Sequence, residues 1–208
     1  MGRKAAFLDR DGTIITEAGA LVADPGIDPL PEAIPAIRKL RAAGFLIVVV
    51  TNQSAIARGY YTEEELGVAH EALLGKFADH DAAVDAVYYC PHLPEGEIAR
   101  YATECDCRKP KPGMLLRAAE ELDIDLGSSY LVGDAERDIE AGRAAGCKGT
   151  ALIQRDVQAP FLIDPGLTTQ WQRVSQQMND AAESAADAIV PDVNAAADWI
   201  LDVEKMNG

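Results

Sequence analysis

Near its start the chain reads FLDRDGT, from Phe7 to Thr13: an apolar stretch that ends in two aspartates one residue apart, followed by a glycine. In an extended strand, residues two apart point to the same side, so Asp9 and Asp11 can converge just beyond the strand end. Gly12 supplies the backbone freedom for a sharp turn there. Ligand crevices of open α/β sheets lie outside the carboxyl ends of their strands. Taken alone, the stretch fits a solvated acidic turn, and the rest of the chain decides whether it is a site.

The composition is that of a compact globular chain with an acidic surface. Of the 208 residues, 48% are apolar, which suits one α/β domain with a full core and an appendage. The formal net charge of −15 argues against nucleic acid or an anionic membrane as the main partner. A phosphate substrate would therefore need a local cluster of cations.

The sequence also indicates a cellular compartment. No apolar run approaches the roughly 20 residues that span a bilayer, and the first strand begins almost at Met1, which leaves no room for a signal peptide. We therefore expect a cytoplasmic protein. In that reducing compartment, its four cysteines favour metal or catalytic roles over disulfides.

Strand and helix patterns alternate along residues 1–154. The apolar run from Phe45 to Val50 is rich in β-branched residues, as expected for a strand buried on both faces of a parallel sheet. Thr62 and Glu65 form a capping box at the start of a helix that runs to about Ala78. The alternation predicts a doubly wound, mostly parallel, Rossmann-like α/β core over residues 1–154. The other predicted strands are 5–8, 84–89, 130–132 and 150–153, and the other predicted helices begin near Pro31, Gly113 and Ile139.

The character of the chain changes after residue 154. Residues 155–190 are rich in Ala, Gln and Asp and carry apolar residues at helical spacing, which predicts an amphipathic helical insertion. It would be a packed appendage, a lid or a self-association surface. Residues 191–208 are predicted to form a C-terminal helix packed on the core, with Trp199 and Ile200 inward. We expect a monomer, with residues 168–190 as the segment through which a dimer would form. The apolar stripe consists of Trp171, Val174, Met178, Ala181, Ala185 and Ile189.

Polar clusters follow several of the predicted strands. Thr51-Asn52-Gln53-Ser54 follows the central strand, Gly133-Asp134 follows a later one, and Arg108-Lys109-Pro110-Lys111 precedes a helix. Because neighbouring parallel strands present their carboxyl ends to one crevice, we expect these groups to face Asp9 and Asp11.

Together these groups suit phosphoryl transfer. Asp9 and Asp134 would ligate Mg²⁺, a hard cation that prefers oxygen. The shielded Asp9 carboxylate could then attack phosphorus, and Asp11 could protonate the departing alkoxide and later deprotonate water. Thr51 and Lys109 would bind the equatorial phosphoryl oxygens, where charge accumulates in the transition state, and Arg108 would reach the substrate beyond them.

Three cysteines and a histidine lie in the loop before the third helix. Cys90-Pro91-His92 and Cys105-Asp106-Cys107 supply three thiolates and one imidazole, a set suited to a closed, tetrahedral structural zinc site. Buried, unliganded thiols are the alternative. Zinc would fasten the loop and hold Arg108 and Lys109 over the phosphate. Cys147 lies apart from the set and is expected to be an ordinary core residue.

The order of these motifs resembles the haloacid dehalogenase superfamily of aspartate-nucleophile phosphatases. The residues that carry the resemblance are D-x-D-G-T at Asp9, Thr51, Lys109 and G-D at Asp134. The resemblance implies Asp9 as nucleophile and Asp11 as acid/base. It also implies Mg²⁺ held by the Asp9 side chain, the Asp11 main-chain carbonyl and Asp134.

A longer set of motifs is similar to a narrower group, the D-glycero-D-manno-heptose 1,7-bisphosphate 7-phosphatases with the related histidinol-phosphate phosphatases. The motifs are DRDGT, VVVTNQS, IARG, YYCPH, CDCRKP and PGML, within residues 5–153. The resemblance implies a small capless enzyme that removes the 7-phosphate of the heptose bisphosphate. The alternative is a histidinol-phosphate phosphatase or another small-molecule phosphomonoesterase of the superfamily. The chain departs from the group at Ala55, where Gly is usual, and at residues 17–21, which lack the usual aromatic.

Several side chains are expected to contact the substrate: Arg10, Asn52, Gln53, Ser54, Arg58 and Arg108. For Arg58, the choice is between binding a second phosphate and simple solvation. Arg10 lies between the two aspartates, and alternation should point it away from both of them. His70 and His80 are expected to be solvated. Asp138 would either support the Mg²⁺ site or favour a helix N-terminus.

Overall fold

The computed structural model describes residues 2–16, 27–155, 161–162 and 184–206. Its strands are β1 (Ala5–Leu8), β2 (Leu46–Asn52), β3 (Ala86–Cys90), β4 (Tyr130–Gly133), β5 (Gly149–Ile153), β6 (Phe161–Leu162) and β7 (Ala188–Val190). They form one sheet in the order β3-β2-β1-β4-β5-β7-β6. Every pairing is parallel except that of β6 with β7, which is antiparallel.

In the described part of the chain, five α-helices accompany the sheet: α1 (Ala33–Ala42), α2 (Glu63–Ala78), α3 (Gly113–Leu122), α4 (Glu136–Ala145) and α5 (Val193–Met206). A 3₁₀ turn, Leu126–Ser128, precedes β4. Among the residues that the structure describes, no helix is long and apolar enough to cross a membrane. Within the described residues no cap domain interrupts the sheet, and the longest connection that is described from end to end is the loop of residues 91–112 between β3 and α3.

Side chains of the central strands alternate between two cores. In β1, Ala6 and Leu8 pack in the core that contains α1 and α5. Ala5 and Phe7 pack in the opposite core, which contains α3 and α4. This confirms the doubly wound, mostly parallel sheet that the alternating sequence pattern predicts, and it explains why the central strands are apolar throughout.

Local signals set the helix ends. The Thr62 hydroxyl accepts a hydrogen bond from the Glu65 amide, and the Glu65 carboxylate accepts one from the Thr62 amide, so the predicted capping box is confirmed. Gly146 ends α4 with a φ of 84°, a left-handed conformation that glycine adopts without steric cost. The helix that begins at the Thr62 capping box, α2, runs from Glu63 to Ala78, as predicted.

The segment after β5 differs from the predicted helix where it is described. Residues 188–190 form β7, so Ile189 lies in a strand rather than on an amphipathic helix. The correction has a simple cause: a three-residue apolar stretch fits both periodicities, and only the free edge of β5 decides between them. Trp199 and Ile200 of α5 are buried, as predicted. Trp171, Val174, Met178 and Ala181 lie outside the described residues, and the predicted division at residues 154 and 190 stays a prediction.

Candidate active site and cysteine cluster

Three carboxylates meet at the carboxyl end of the sheet. Asp9 follows β1 and Asp134 follows β4, and these strands are neighbours with Leu8 opposite Val132. Oxygen atoms of Asp9, Asp134 and Asp138 lie within 4.8 Å of one another. Such a set of oxygen donors fits a hard divalent cation such as Mg²⁺. The predicted pair of Asp9 and Asp134 is therefore brought together, and Asp138 joins it.

Gly12 makes room for one of these carboxylates. Its φ is 76°, and a Cβ placed on it would lie 2.0 Å from Oδ2 of Asp134. Any side chain at this position would therefore displace the Asp134 carboxylate. The glycine of the DRDGT motif thus serves the carboxylate cluster as well as the turn.

Lys109 holds the nucleophile candidate in place. Its buried Nζ lies 2.7 Å from Oδ1 of Asp9, 2.7 Å from the Val50 carbonyl oxygen and 2.6 Å from Oδ1 of Asp138. Burial alone would lower the pKa of Lys109, but the two carboxylates outweigh it and raise the pKa, so the amine stays protonated. The ammonium donates to Asp9 and to the Val50 carbonyl oxygen and forms an ion pair with Asp138. The predicted contact of Lys109 with phosphoryl oxygens stays a prediction.

Asp138 is a component that the sequence indicated only as one of two alternatives. It is fully buried, and its Oδ2 accepts a hydrogen bond from the Ala135 amide, which places it at the start of α4. Burial and the nearby Asp9 raise its pKa, against the opposing effect of Lys109. Gly133 gives it space, since a Cβ there would lie 2.4 Å from the Asp138 Cβ. Its position at a helix N-terminus is thus confirmed, and its support of a Mg²⁺ site stays a prediction.

Asn52 forms hydrogen bonds with the backbone of Lys109. Its amide group donates to the Lys109 carbonyl and its oxygen accepts from the Lys109 amide, both at 3.0 Å. These bonds join the end of β2 to the loop that carries Lys109. This pair of bonds uses one N–H and one lone pair of the amide, and the predicted contact of Asn52 with substrate stays a prediction.

Asp11 lies in a separate group of side chains beside the three carboxylates. Its Oδ2 accepts hydrogen bonds from Arg10 and Gln53, each at 3.0 Å, and lies 3.4 Å from the Thr51 hydroxyl. Arg10 is buried, with 1% of its surface exposed, and Gln53 is 3% exposed. Arg10 and Gln53 thus contact Asp11, and their predicted contacts with substrate stay predictions. Alternation fails for Arg10 because residue 10 lies beyond the end of β1.

His70 is buried rather than solvated. Its Nε2 lies 2.9 Å from Nη1 of Arg10, and burial followed by the charge of Arg10 lowers its pKa to about 4. Tyr61 is likewise buried and donates its hydroxyl proton to the Gln53 oxygen; burial raises its pKa. No local sequence signal marks either residue, because both reach the site only through the packing of α2. His80 is exposed, as predicted.

Three other predicted substrate contacts lie around the same edge of the sheet. Ser54 is half-buried and Arg58 is exposed. Arg108 is half-buried and donates to the His92 carbonyl oxygen at 3.2 Å. Their contacts with substrate, and that of Thr51, stay predictions.

The four predicted zinc ligands converge. Sγ–Sγ distances among Cys90, Cys105 and Cys107 are 3.2, 3.3 and 3.5 Å, and Nδ1 of His92 lies 3.4 Å from Cys107 and 3.7 Å from Cys90. A tetrahedral site with Zn–S bonds of about 2.3 Å separates its sulfurs by roughly 3.8 Å, so the cluster is close to that size. The hydrogen bond between Cys107 and Cys90 lowers the pKa of Cys107. Cys147 is half-buried elsewhere in the fold, and burial raises its pKa to about 12.

A second set of contacts ties this loop to α2. The Glu63 carboxylate accepts hydrogen bonds from the Tyr89 hydroxyl, at 2.6 Å, and from the Tyr101 hydroxyl. Hydrogen bonds from Tyr101 and Tyr89 lower the pKa of Glu63. A small apolar cluster that includes Ile56 and Leu93 lies beneath the loop. The loop is thus held by the cysteine cluster, by Glu63 and by the Asn52–Lys109 hydrogen bonds.

A cavity of about 600 Å³ opens beside the carboxylates. Gly12, Asp134 and Arg155 are among its lining residues. Arg155 donates to the Gly12 carbonyl oxygen at 2.9 Å and pairs with Glu32 at 2.7 Å. The cavity is large enough for a small phosphorylated molecule.

Comparison with known proteins identifies the family. The family model described as haloacid dehalogenase-like hydrolase matches residues 16–146. The chain belongs to this family. A second model, the HAD-hydrolase-like family, matches residues 106–196. The membership confirms the resemblance read from the motifs and makes the chain a hydrolase.

Curated relatives carry a more specific name. The chain is 45% identical over 152 residues to the D-glycero-β-D-manno-heptose-1,7-bisphosphate 7-phosphatase of Pasteurella multocida, covering 73% of this chain and 82% of that protein. It is 45% identical over 151 residues to the enzyme of the same name from Escherichia coli K12, covering 73% of this chain and 78% of that protein.

Solved structures agree with these relatives. A D,D-heptose 1,7-bisphosphate phosphatase from B. bronchiseptica, complexed with magnesium and phosphate, superposes with a TM-score of 0.73 at 31% identity and covers 96% of this chain and 99% of that chain. A HAD-like phosphatase from Mesorhizobium loti gives a TM-score of 0.77 at 31% identity and covers 99% of this chain and 88% of that chain.

Proposed function

We propose that this hydrolase removes the 7-phosphate of D-glycero-β-D-manno-heptose 1,7-bisphosphate through an aspartyl-phosphate intermediate on Asp9. The assignment of the substrate rests on the 45% identity to enzymes that act on it by name, over about three quarters of the chain. The chemistry is supported by Asp9 at the end of β1, held 2.7 Å from the Lys109 ammonium.

Mg²⁺ fits the carboxylate cluster and would be held by the side chains of Asp9 and Asp134 and the main-chain carbonyl of Asp11. When bound, it would offset the charge of the carboxylates and of the phosphate, so that an anionic nucleophile can approach an anionic substrate. Asp138 supports the site from behind by its ion pair with Lys109 at 2.6 Å.

The protein's own residues would perform the transfer in two steps. The free oxygen of Asp9 attacks phosphorus, the bond from phosphorus to the sugar oxygen breaks, and Asp11 donates its proton to that oxygen. Asp11, now a carboxylate, takes a proton from water, which attacks phosphorus and releases Asp9 and inorganic phosphate. Lys109 orients Asp9 throughout by its bond to Oδ1.

Zinc is proposed for the cluster of Cys90, His92, Cys105 and Cys107. Four protein ligands close a tetrahedral site, so the metal would be structural rather than catalytic. Its role would be to fix the loop of residues 91–112, from which Arg108 and Lys109 follow Cys107 directly.

We also propose that the only partner is a small sugar phosphate, with no nucleic acid and no membrane. The protein would act as a monomer in the cytoplasm. The net charge of −15 supports the first point, since it disfavours nucleic acid and anionic membranes.

A substrate panel tests the assignment. We expect kcat/KM to be highest for the β anomer of the heptose 1,7-bisphosphate, with phosphate released from position 7, and lower for histidinol phosphate and for common hexose phosphates. A preference for histidinol phosphate would move the enzyme to the alternative substrate class with the same chemistry. No phosphate release from any of them would contradict the proposal.

A further inference from the structure

We propose that Arg10 is a positioning residue for Asp11, and that His70 on one side and the Tyr61–Gln53 pair on the other hold this assembly in place. The proposal rests on the proposed role of Asp11 as the proton donor to the leaving oxygen. It explains why Arg10, His70, Tyr61 and Gln53 are buried beside Asp11 although none of them takes part in the proposed proton transfer.

Arg10 donates hydrogen bonds to the Asp11 carboxylate from two of its nitrogens. Nε lies 3.2 Å from Oδ2, and Nη2 lies 3.1 Å from Oδ1 and 3.0 Å from Oδ2. A forked contact of this kind fixes the plane of a carboxylate as well as its distance. The Arg10 side chain is 2% exposed and that of Asp11 is 22% exposed, so Asp11 is the more accessible partner of this buried contact.

His70 fixes the remaining nitrogen of Arg10. Nη1 lies 2.9 Å from Nε2 of His70. Arginine can only donate, so Nε2 must be the acceptor, which requires a neutral imidazole. Burial and the charge of Arg10 keep His70 neutral by lowering its pKa to about 4. His70 is therefore a fixed acceptor on α2 that sets the direction of the arginine.

Gln53 and Tyr61 hold the other side of Asp11. The Gln53 amide nitrogen donates to Asp11 Oδ2 at 3.0 Å and to the Thr51 hydroxyl at 2.8 Å. The Tyr61 hydroxyl donates to the Gln53 oxygen, which fixes the orientation of the amide. Donors from two elements thus reach the same carboxylate, and His70 and Tyr61 act only through Arg10 and Gln53.

The chemistry of the leaving group makes this arrangement testable. An alkoxide needs a proton as it departs, so hydrolysis of an alkyl phosphate depends on a correctly placed Asp11. The p-nitrophenolate ion leaves without a proton. Because kcat/KM reports only the steps up to departure of the leaving group, a misplaced Asp11 should lower kcat/KM for alkyl phosphates and spare p-nitrophenyl phosphate.

The experiment compares His70→Leu, His70→Gln and Tyr61→Phe with the wild type. The substrates are the alkyl phosphate of the panel that the wild type hydrolyses best and p-nitrophenyl phosphate. We expect His70→Leu to lower kcat/KM for the alkyl phosphate by about ten-fold and to change that for p-nitrophenyl phosphate by less than about two-fold. Gln keeps an acceptor for Arg10, so His70→Gln should recover most of the loss. His80→Leu, at an exposed histidine, is the matched control and should behave as the wild type.

Equal losses on both substrates, or no loss on the alkyl phosphate, would overturn the proposal. If His70→Leu does not fold, Tyr61→Phe decides: a loss confined to the alkyl phosphate supports the proposal, and an unchanged ratio contradicts it. The outcome is separate from the substrate assignment, since a wild type that ignores the heptose bisphosphate but hydrolyses another alkyl phosphate contradicts only that assignment.

Discussion

The carboxylate cluster and the cysteine cluster are built in opposite ways. Asp9 and Asp134 stand at the ends of paired strands, so the sheet itself brings them together. The cysteine cluster joins the end of β3 to Cys105 and Cys107, which lie in a loop without helix or strand. The first cluster contains its own cation, Lys109, which is 2% exposed to solvent.

This difference predicts different responses to damage. The sheet should keep the carboxylates in place when one of them is neutralised, so that chemistry is lost while the fold persists. The loop depends on its ligands and on Glu63, so losing a ligand should release the loop and, with it, Arg108 and Lys109. The four changes below test this contrast in order of expected effect.

Asp9→Asn should have the largest effect on activity. An amide cannot form the aspartyl-phosphate, so kcat should fall by about four orders of magnitude or more. Zinc content, measured by elemental analysis, should be unchanged because the cysteine cluster is separate. Asp81→Asn, at a side chain that is 95% exposed, is the control. Retained turnover would contradict the assignment of the nucleophile.

Lys109→Met should affect both activity and stability. It leaves Asp9 and Asp138 buried without their cation, and breaking a buried pair in this way costs about 3–5 kcal/mol. Denaturant unfolding measures this loss, and phosphate release measures the activity. Lys111→Met is the control, since that side chain is 46% exposed and its acidic neighbours are 3.6 and 3.7 Å away. Equal stability of the two variants would show that Lys109 is not needed to hold the carboxylates.

Cys107→Ser should remove the zinc and lower activity indirectly. Three remaining ligands bind zinc more weakly, and a loosened loop should misplace Lys109 and lower kcat by about ten-fold. Cys147→Ser is the control, because it changes a cysteine outside the cluster. Metal analysis and kcat are measured on both proteins. Full zinc content in Cys107→Ser would contradict the four-ligand site.

Glu63→Gln should have the smallest effect, a fall in Tm of about 1–2 °C at neutral pH. Hydrogen bonds from Tyr101 and Tyr89 lower the pKa of Glu63 below its ordinary value of 4.5. A lowered carboxyl pKa stabilises the fold above pH 4.5 and loses that effect as the pH falls through the folded value. The difference in Tm between wild type and Glu63→Gln should therefore shrink below pH 4.5. Glu64→Gln, at an exposed neighbour, should show no such trend.

Much of the fold could be predicted from the sequence because its signals are local. The apolar run of β2, the capping box at Thr62 and the aspartates after β1 each mark an element or its end. β7 was missed because three apolar residues do not distinguish a strand from a helix, and its place depends on the edge of β5.

The candidate site divides in the same way. The residues at strand ends, Asp9, Asp11 and Asp134, and the cysteine pairs follow from spacing alone. The sequence predicts substrate contacts for Arg10, Asn52 and Gln53 because they adjoin those residues. In the fold their side chains turn to Asp11 and to the Lys109 backbone, which depends on how β2, α2 and the loop meet.

The most direct test of the account is to trap the intermediate. Wild-type enzyme is mixed with heptose 1,7-bisphosphate labelled with ³²P at position 7, quenched in acid after a fraction of one turnover, and digested. The aspartyl-phosphate mechanism predicts label on the peptide that contains Asp9. Hydroxylamine should release this label, as expected for an acyl phosphate, and the Asp9→Asn variant should carry none. Turnover of the labelled substrate with no label on the protein, or with label on another residue, would contradict it.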